Sequence, residues 1–234
     1  MTPTYQPPRR VGFGKASLAK GTSTKQRRKP LKRPSQDRAK FTVQTIFDGF
    51  VRIWRRQGWA AVTTRNISLE TGYAVGTLYE YFPNREALLS GYVRYAIEAL
   101  LARITADAGP ARALSPRERV SILVRLTCGA GVPDLPLLDS DMLALEHRIA
   151  EPKHHRRVYE ELCAVWTEVL GACDGSWHTP DPSRIEAMVA AVWGARRYLL
   201  LVKPRGFDQV KWAEQMEQIV WAALGGAASD AYTR

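Results

Sequence analysis

The chain has 234 residues and 45% apolar content, enough for a packed core in one large domain or in a small one beside a larger one. Its net charge of +11 sits in the first forty residues, where twelve Lys or Arg face the single acid Asp37, while the remainder carries twenty-two residues of each sign. The longest run without a charged residue, 218–229, has twelve residues, too few for the ~20 of a transmembrane helix.

Residues 1–36 hold five Pro, three Gly and no acid. Such a stretch buries too little to offset its ordering entropy, so a flexible basic arm over 1–36 is expected. A like-charged block of this kind suits a polyanion. The arm has no apolar h-region, so it does not read as a secretory signal. A cytoplasmic, nucleoid-associated protein is expected.

The first helix is announced by Val43, Ile46, Phe47, Phe50, Val51 and Trp54, one apolar stripe on a 3.6-residue period. Gly58 supplies its stop. Thr63 or Thr64 can cap a short helix reaching Glu70 or Thr71, and Gly72 permits a turn. A second short helix is predicted over 75–81. Pro83 ends it, because the residue before proline avoids the helical region. Asn84 then caps a long helix, with Glu86 in its first turn.

Helix follows helix from there. Ser115–Glu118 has capping-box spacing with Pro116 at the first helical position. Further helices are predicted over 140–150, from Pro152 to about 173, from Asp181 or Ser183 through Leu200, and a last one containing Trp212 to Leu224. No strand, repeat or Gly-rich phosphate loop is evident, so the fold class is all-α. No Ser-His-Asp order, glycine elbow or zinc pattern points to an enzyme, and no cofactor or metal is indicated. Cys128, Cys163 and Cys173 read as small buried hydrophobes, and His147, His154 and His155 as part of a solvated basic face.

Two short helices joined at a glycine and braced by a longer one form a helix-turn-helix, whose second helix enters the major groove of DNA. The motifs "GWAAVTTRNIS" (58–68), Gly72 and "GTLYEYFPNREALL" (76–89) resemble the DNA-binding domain of the tetracycline-repressor (TetR, AcrR-like) family of transcriptional regulators. The resemblance covers about fifty residues, from the mid-thirties to Leu89. It implies a helix-turn-helix domain over 37–83 and a helical regulatory and dimerisation domain over 84–234, whose first helix connects the two.

Carried over position by position, the resemblance puts Thr64 and Arg65 at phosphate contacts from the first short helix. Val75, Gly76 and Thr77 start the recognition helix, Tyr79 reaches phosphate or a thymine methyl, Tyr81 lies near the backbone, and Arg85 is a phosphate clamp. Hydroxyls, cations and helix N-termini suit phosphate oxygens in any case. Two departures concern the operator: Ala74 offers no side-chain cap, and Val75 would read a base only through apolar contact.

A single helix-turn-helix reads few bases, so a homodimer on a palindromic operator is expected. The last two helices are the candidates, through Met188, Val192, Trp193, Leu199, Trp212, Met216, Ile219, Val220 and Ala223. The resemblance also implies a repressor released by a small apolar or amphipathic ligand, for which Trp166 and Trp193 would suit a pocket. The competing expectation is a constitutive DNA-organising protein without an inducer.

Overall fold

The computed structural model describes residues 37–173 and 177–225; the basic stretch 1–36 lies outside them. Among the described residues there are nine α-helices and no strand. They are α1 (Asp37–Gln57), α2 (Thr64–Thr71), α3 (Val75–Tyr81), α4 (Arg85–Ala108), α5 (Pro116–Cys128), α6 (Ser140–Ile149), α7 (Pro152–Gly171), α8 (Pro182–Val202) and α9 (Gln209–Ala223). None is long and apolar enough to cross a membrane.

Local chemistry sets the ends. The Thr63 side chain accepts from the Asn66 N–H, Asn84 from Ala87 and Asp139 from Met142. Ser115 and Glu118 complete a reciprocal capping box, worth on the order of 1 kcal/mol for the serine alone. Gly58, at φ 69°, ends α1 as expected, but the chain then makes a 3₁₀ turn over Trp59–Ala61 that periodicity does not announce. At the far end of α4, buried Arg119 donates to the carbonyls of Ala108, Gly109 and Arg112. A cation suits the negative end of that helix.

The head, α1–α3, is held by the stripe of α1. Ile46, Phe47, Phe50, Ile53 and Trp54 are buried together with Ile67 of α2 and Leu78 and Phe82 at α3. Helices of eight and seven residues are marginal alone. Full burial of Ile67 and Leu78, at roughly 1.5–3 kcal/mol each, is what sustains them. Gly49 lets α2 come close, since a Cβ there would collide with the Thr71 methyl. Arg52 and Arg56 of α1 both bond Glu70 of α2, the first at 2.6 Å.

α4 spans ~36 Å and leads from the head into the second bundle. At that junction Phe47 packs on Phe82, Tyr92 and Tyr95 with ring centroids 5.3–5.6 Å apart. Two polar ties reinforce it. Trp54 Nε1–H donates to Asp139 Oδ2 at 2.7 Å, and the Tyr92 hydroxyl donates to the Leu137 carbonyl at 2.9 Å. In the larger bundle α5 packs on α4 and α9, and α7 on α4 and α8, around Leu123, Met142, Leu162, Trp166 and Val189.

Candidate nucleic-acid interface

The turn between α2 and α3 is fixed by its own residues. Gly72 takes φ 77°, a left-handed conformation that costs a glycine little. The Ser68 hydroxyl donates to the Tyr73 carbonyl at 2.6 Å and Thr71 to the Ile67 carbonyl at 2.7 Å. Ala74 makes no side-chain cap at the start of α3, so the N–H groups of that first turn lack a side-chain acceptor from this position.

What the turn presents is a small polar surface. Tyr79 is 48% exposed and Val75 39% exposed. Gly76 is exposed, and a Cβ on it would meet nothing within 4 Å, which leaves room for close approach of another backbone. The hydroxyls of Thr64 and Tyr79, fifteen residues apart in the chain, lie 3.5 Å from each other across α2 and α3. Thr77 is half-buried beside them in sequence, and Arg65 is exposed with no ion pair among the described residues.

Arg85 completes this side. Its guanidinium lies 4.7 Å over the Trp59 ring and its Nε is 3.2 Å from Glu86. A surface pair of this kind holds by ~0–1 kcal/mol, so the cation is held in place yet remains available to another anion. Trp59 is the residue the sequence reading missed; the Arg85 stack arises only when the 3₁₀ turn folds beside the start of α4. Glu70 is the other missed group. Hydrogen bonds from Arg56 and then Arg52 hold its carboxyl below the usual glutamate range, so it stays ionised and clamps α2 to α1. Tyr81 does not join the exposed set. It is 6% exposed, packs beside Phe82 and belongs to the core, because the seven-residue helix needs an inward ring at its end.

A flat pair of short helices with hydroxyls, an open glycine and flanking guanidiniums is chemically suited to a phosphodiester backbone and base edges. Residues 38–91 match the family model described as "Bacterial regulatory proteins, tetR family". The chain carries a DNA-binding domain of the TetR family over those residues. It is therefore a DNA-binding transcriptional regulator. No curated protein matches the sequence. Solved structures share the fold of this chain at low identity. A TetR transcription regulator from Haloarcula marismortui is 16% identical, with 80% of this chain and 98% of that one covered and a TM-score of 0.61. The TetR family repressor AlkX from a Dietzia strain is 19% identical over 79% and 95%, with a TM-score of 0.54. Thermus thermophilus FadR, a repressor solved in complex with lauroyl-CoA, is 17% identical over 76% and 92%, with a TM-score of 0.52.

The larger bundle departs from the sequence reading in two places. Trp166 is fully buried and donates to the Thr127 hydroxyl at 3.2 Å, and Trp193 is nearly buried. Neither lines the cavities of about 620 and 260 Å³, which lie nearer the head around Leu137. The tryptophans are too well packed to be walls of either space. Of the residues expected at a dimer face, Val192, Trp193, Met216 and Val220 are buried within the monomer and Met188, Leu199, Trp212 and Ala223 are half-buried, while Ile219 is exposed. The inward stripe dominates periodicity because the monomer core claims it first. Among the described residues, no group of three or more His, Cys, Asp or Glu is placed to hold a metal ion.

Proposed function

We propose that the protein is a homodimeric repressor that reads a palindromic operator and leaves it when a small molecule binds the helical domain. The observation that carries the dimer is α8. Its inward side fills the core, yet Ala187, Ala190, Ala191, Gly194, Tyr198 and Leu201 leave a second, outward apolar side, with Tyr198 66% and Leu201 61% exposed. A helix apolar all round is one that is buried all round. Pairing this face, with Ile219 of α9, against its two-fold copy satisfies that pattern and forms a four-helix contact.

On that dimer, Thr64, Arg65 and Arg85 hold phosphates, while Val75, Gly76, Thr77 and Tyr79 approach base edges; Tyr81 anchors the end of α3 behind them. The basic stretch 1–36 adds sequence-independent affinity through its charge. The complex of a same-fold repressor with lauroyl-CoA supports a ligand-responsive reading. A ligand releases DNA only by its difference in affinity for the DNA-competent and incompetent arrangements.

Selection of bound duplexes from a random pool tests this. The expected result is an inverted repeat with half-sites one helical turn, ~34–36 Å, or a multiple apart. Diffuse coating of any sequence would support a DNA-organising protein instead. A monomer in sedimentation at micromolar concentration would overturn the dimer.

A further inference from the structure

The cavity of about 260 Å³ lies between α4, the loop 129–138 and α8. Its walls are mixed: Leu100, Leu135, Leu138 and Leu200 supply an apolar part, Pro133 and Pro136 stiffen the loop, and Arg55 and Gln209 add polar groups but no carboxylate. Into this lining comes Arg196. Its Nη1 donates to the Thr127 carbonyl at 3.1 Å, at the C-terminal end of α5, and its Cζ lies 5.3 Å over the Trp193 ring. Gly129, at φ 72°, makes room for it; a Cβ there would stand 2.6 Å from Nη2.

Arg196 lacks a counter-charge. No carboxylate among the described residues pairs with it, whereas Arg197, the next residue, is 3.3 Å from Glu146. Its Nε–H is sealed from solvent and has no acceptor. Burial pushes the Cys128 thiol up to about 12, so that neighbour is neutral. Desolvation lowers Arg196 only to about 10, so the guanidinium stays charged at neutral pH. The end of α5 offers a partial negative charge. A full compensating charge is missing, and a desolvated cation needs one.

The geometry points to a binding site for a small amphipathic organic acid, its carboxylate on Arg196 and its apolar part against the loop 129–138 and Leu200. A guanidinium fork matches a carboxylate in two parallel hydrogen bonds. The volume lies just under the ~300–1,000 Å³ of ordinary ligand pockets, so a short acyl chain or a single ring fits and a long chain does not. Arg55, from α1 of the head, lines the same cavity, so an occupant contacts both parts of the molecule. The inference rests on the ligand-responsive reading above and names its ligand class.

Calorimetry on the full chain tests it with straight-chain monocarboxylates from butanoate to decanoate, each against its matching primary alcohol. The expected result is an optimum within the series, with the acid at least ~10-fold tighter than the alcohol, as a charge-assisted contact implies. Arg196→Gln lowers the acid to the alcohol's level, and Arg196→Lys falls between. Should Arg196→Gln fail to fold by circular dichroism, the acid-to-alcohol ratio of the unmodified chain decides alone. Equal binding of acid and alcohol overturns the site. So does no binding by any acid while the chain still binds its selected duplex. Failure to bind any duplex sinks the regulator reading separately.

Discussion

Asp139 performs two tasks with two oxygens. Oδ1 caps α6 by accepting from the Met142 N–H at 2.8 Å, and Oδ2 accepts from Trp54 Nε1 at 2.7 Å. An asparagine in its place would have one acceptor oxygen and an NH₂ that must then face a donor. Asp139→Asn should therefore leave either the cap or the indole unpaired, at ~1–3 kcal/mol, and lose a charge–dipole contribution of ~0.3–1 kcal/mol. In a Trp54→Phe background the indole donor is gone. The amide oxygen can turn to Met142, and only the charge–dipole part remains. The coupling between the two changes is thus ~1–3 kcal/mol, and the ring volume lost in Trp54→Phe cancels from the cycle. Urea unfolding of the four proteins at one fixed concentration measures it, since a dimer's stability depends on concentration. A cost for Asp139→Asn that is the same in both backgrounds would refute the shared-acceptor reasoning.

Gly49→Ala should destabilise the head by ~1–3 kcal/mol through the clash with the Thr71 methyl, seen as faster hydrogen exchange in α2 and weaker DNA binding. The Glu70 clamp should fail in acid. Its folded-state carboxyl titrates below the unfolded value, so its contribution is present above the ordinary glutamate range and is lost as pH falls through the depressed one. The stability gap between the protein and Glu70→Gln should therefore shrink as pH drops from 7 toward 3; a constant gap contradicts the clamp. Arg85→Ala should flatten the slope of log affinity against log salt by ~0.9, with sequence preference kept, in fluorescence anisotropy on the selected duplex. Leu201→Glu, on the outward side of α8, should shift sedimentation from dimer to monomer while helix content by circular dichroism is kept.

The parts of this structure that were legible in the sequence are those whose cause is local. Thr63, Asn84 and Ser115 announce helix starts because a side-chain oxygen within three residues of free N–H groups is a short-range event. The stripe of α1 is likewise visible, because charged residues separate its two sides. α8 is different. Apolar residues surround it, so periodicity finds the core-facing Val192 and Trp193 and is blind to the outward Ala190, Tyr198 and Leu201. Tyr81 sits in a motif position that suggests exposure, but a seven-residue helix has few rings to bury and needs this one. Contacts such as Arg56 to Glu70, Arg85 over Trp59 and Trp54 to Asp139 join residues 14, 26 and 85 positions apart. No spacing rule reaches across those distances.

Those distant contacts also suggest how an occupant of the small cavity reaches DNA. The loop 129–138 lines that cavity, and Asp139 follows it directly. Leu137 and Asp139 are the acceptors for Tyr92 and Trp54, the two polar ties at the junction of head and bundle. Leu137 and Arg55 line both this cavity and the larger cleft of about 620 Å³ between α1 and α6. On the proposed ligand-responsive reading, a ligand that repositioned the loop by a fraction of a hydrogen-bond length would strain both ties at once. Each is worth ~0.5–1.5 kcal/mol net, so together they match the ~1–3 kcal/mol of a usual allosteric coupling. The contact of Phe47 with Phe82 involves no loop residue and would hold the head together if the ties were strained. The junction thus combines aromatic packing with polar ties, of which the Leu137 tie lies in the cavity wall and the Asp139 tie follows it in the chain.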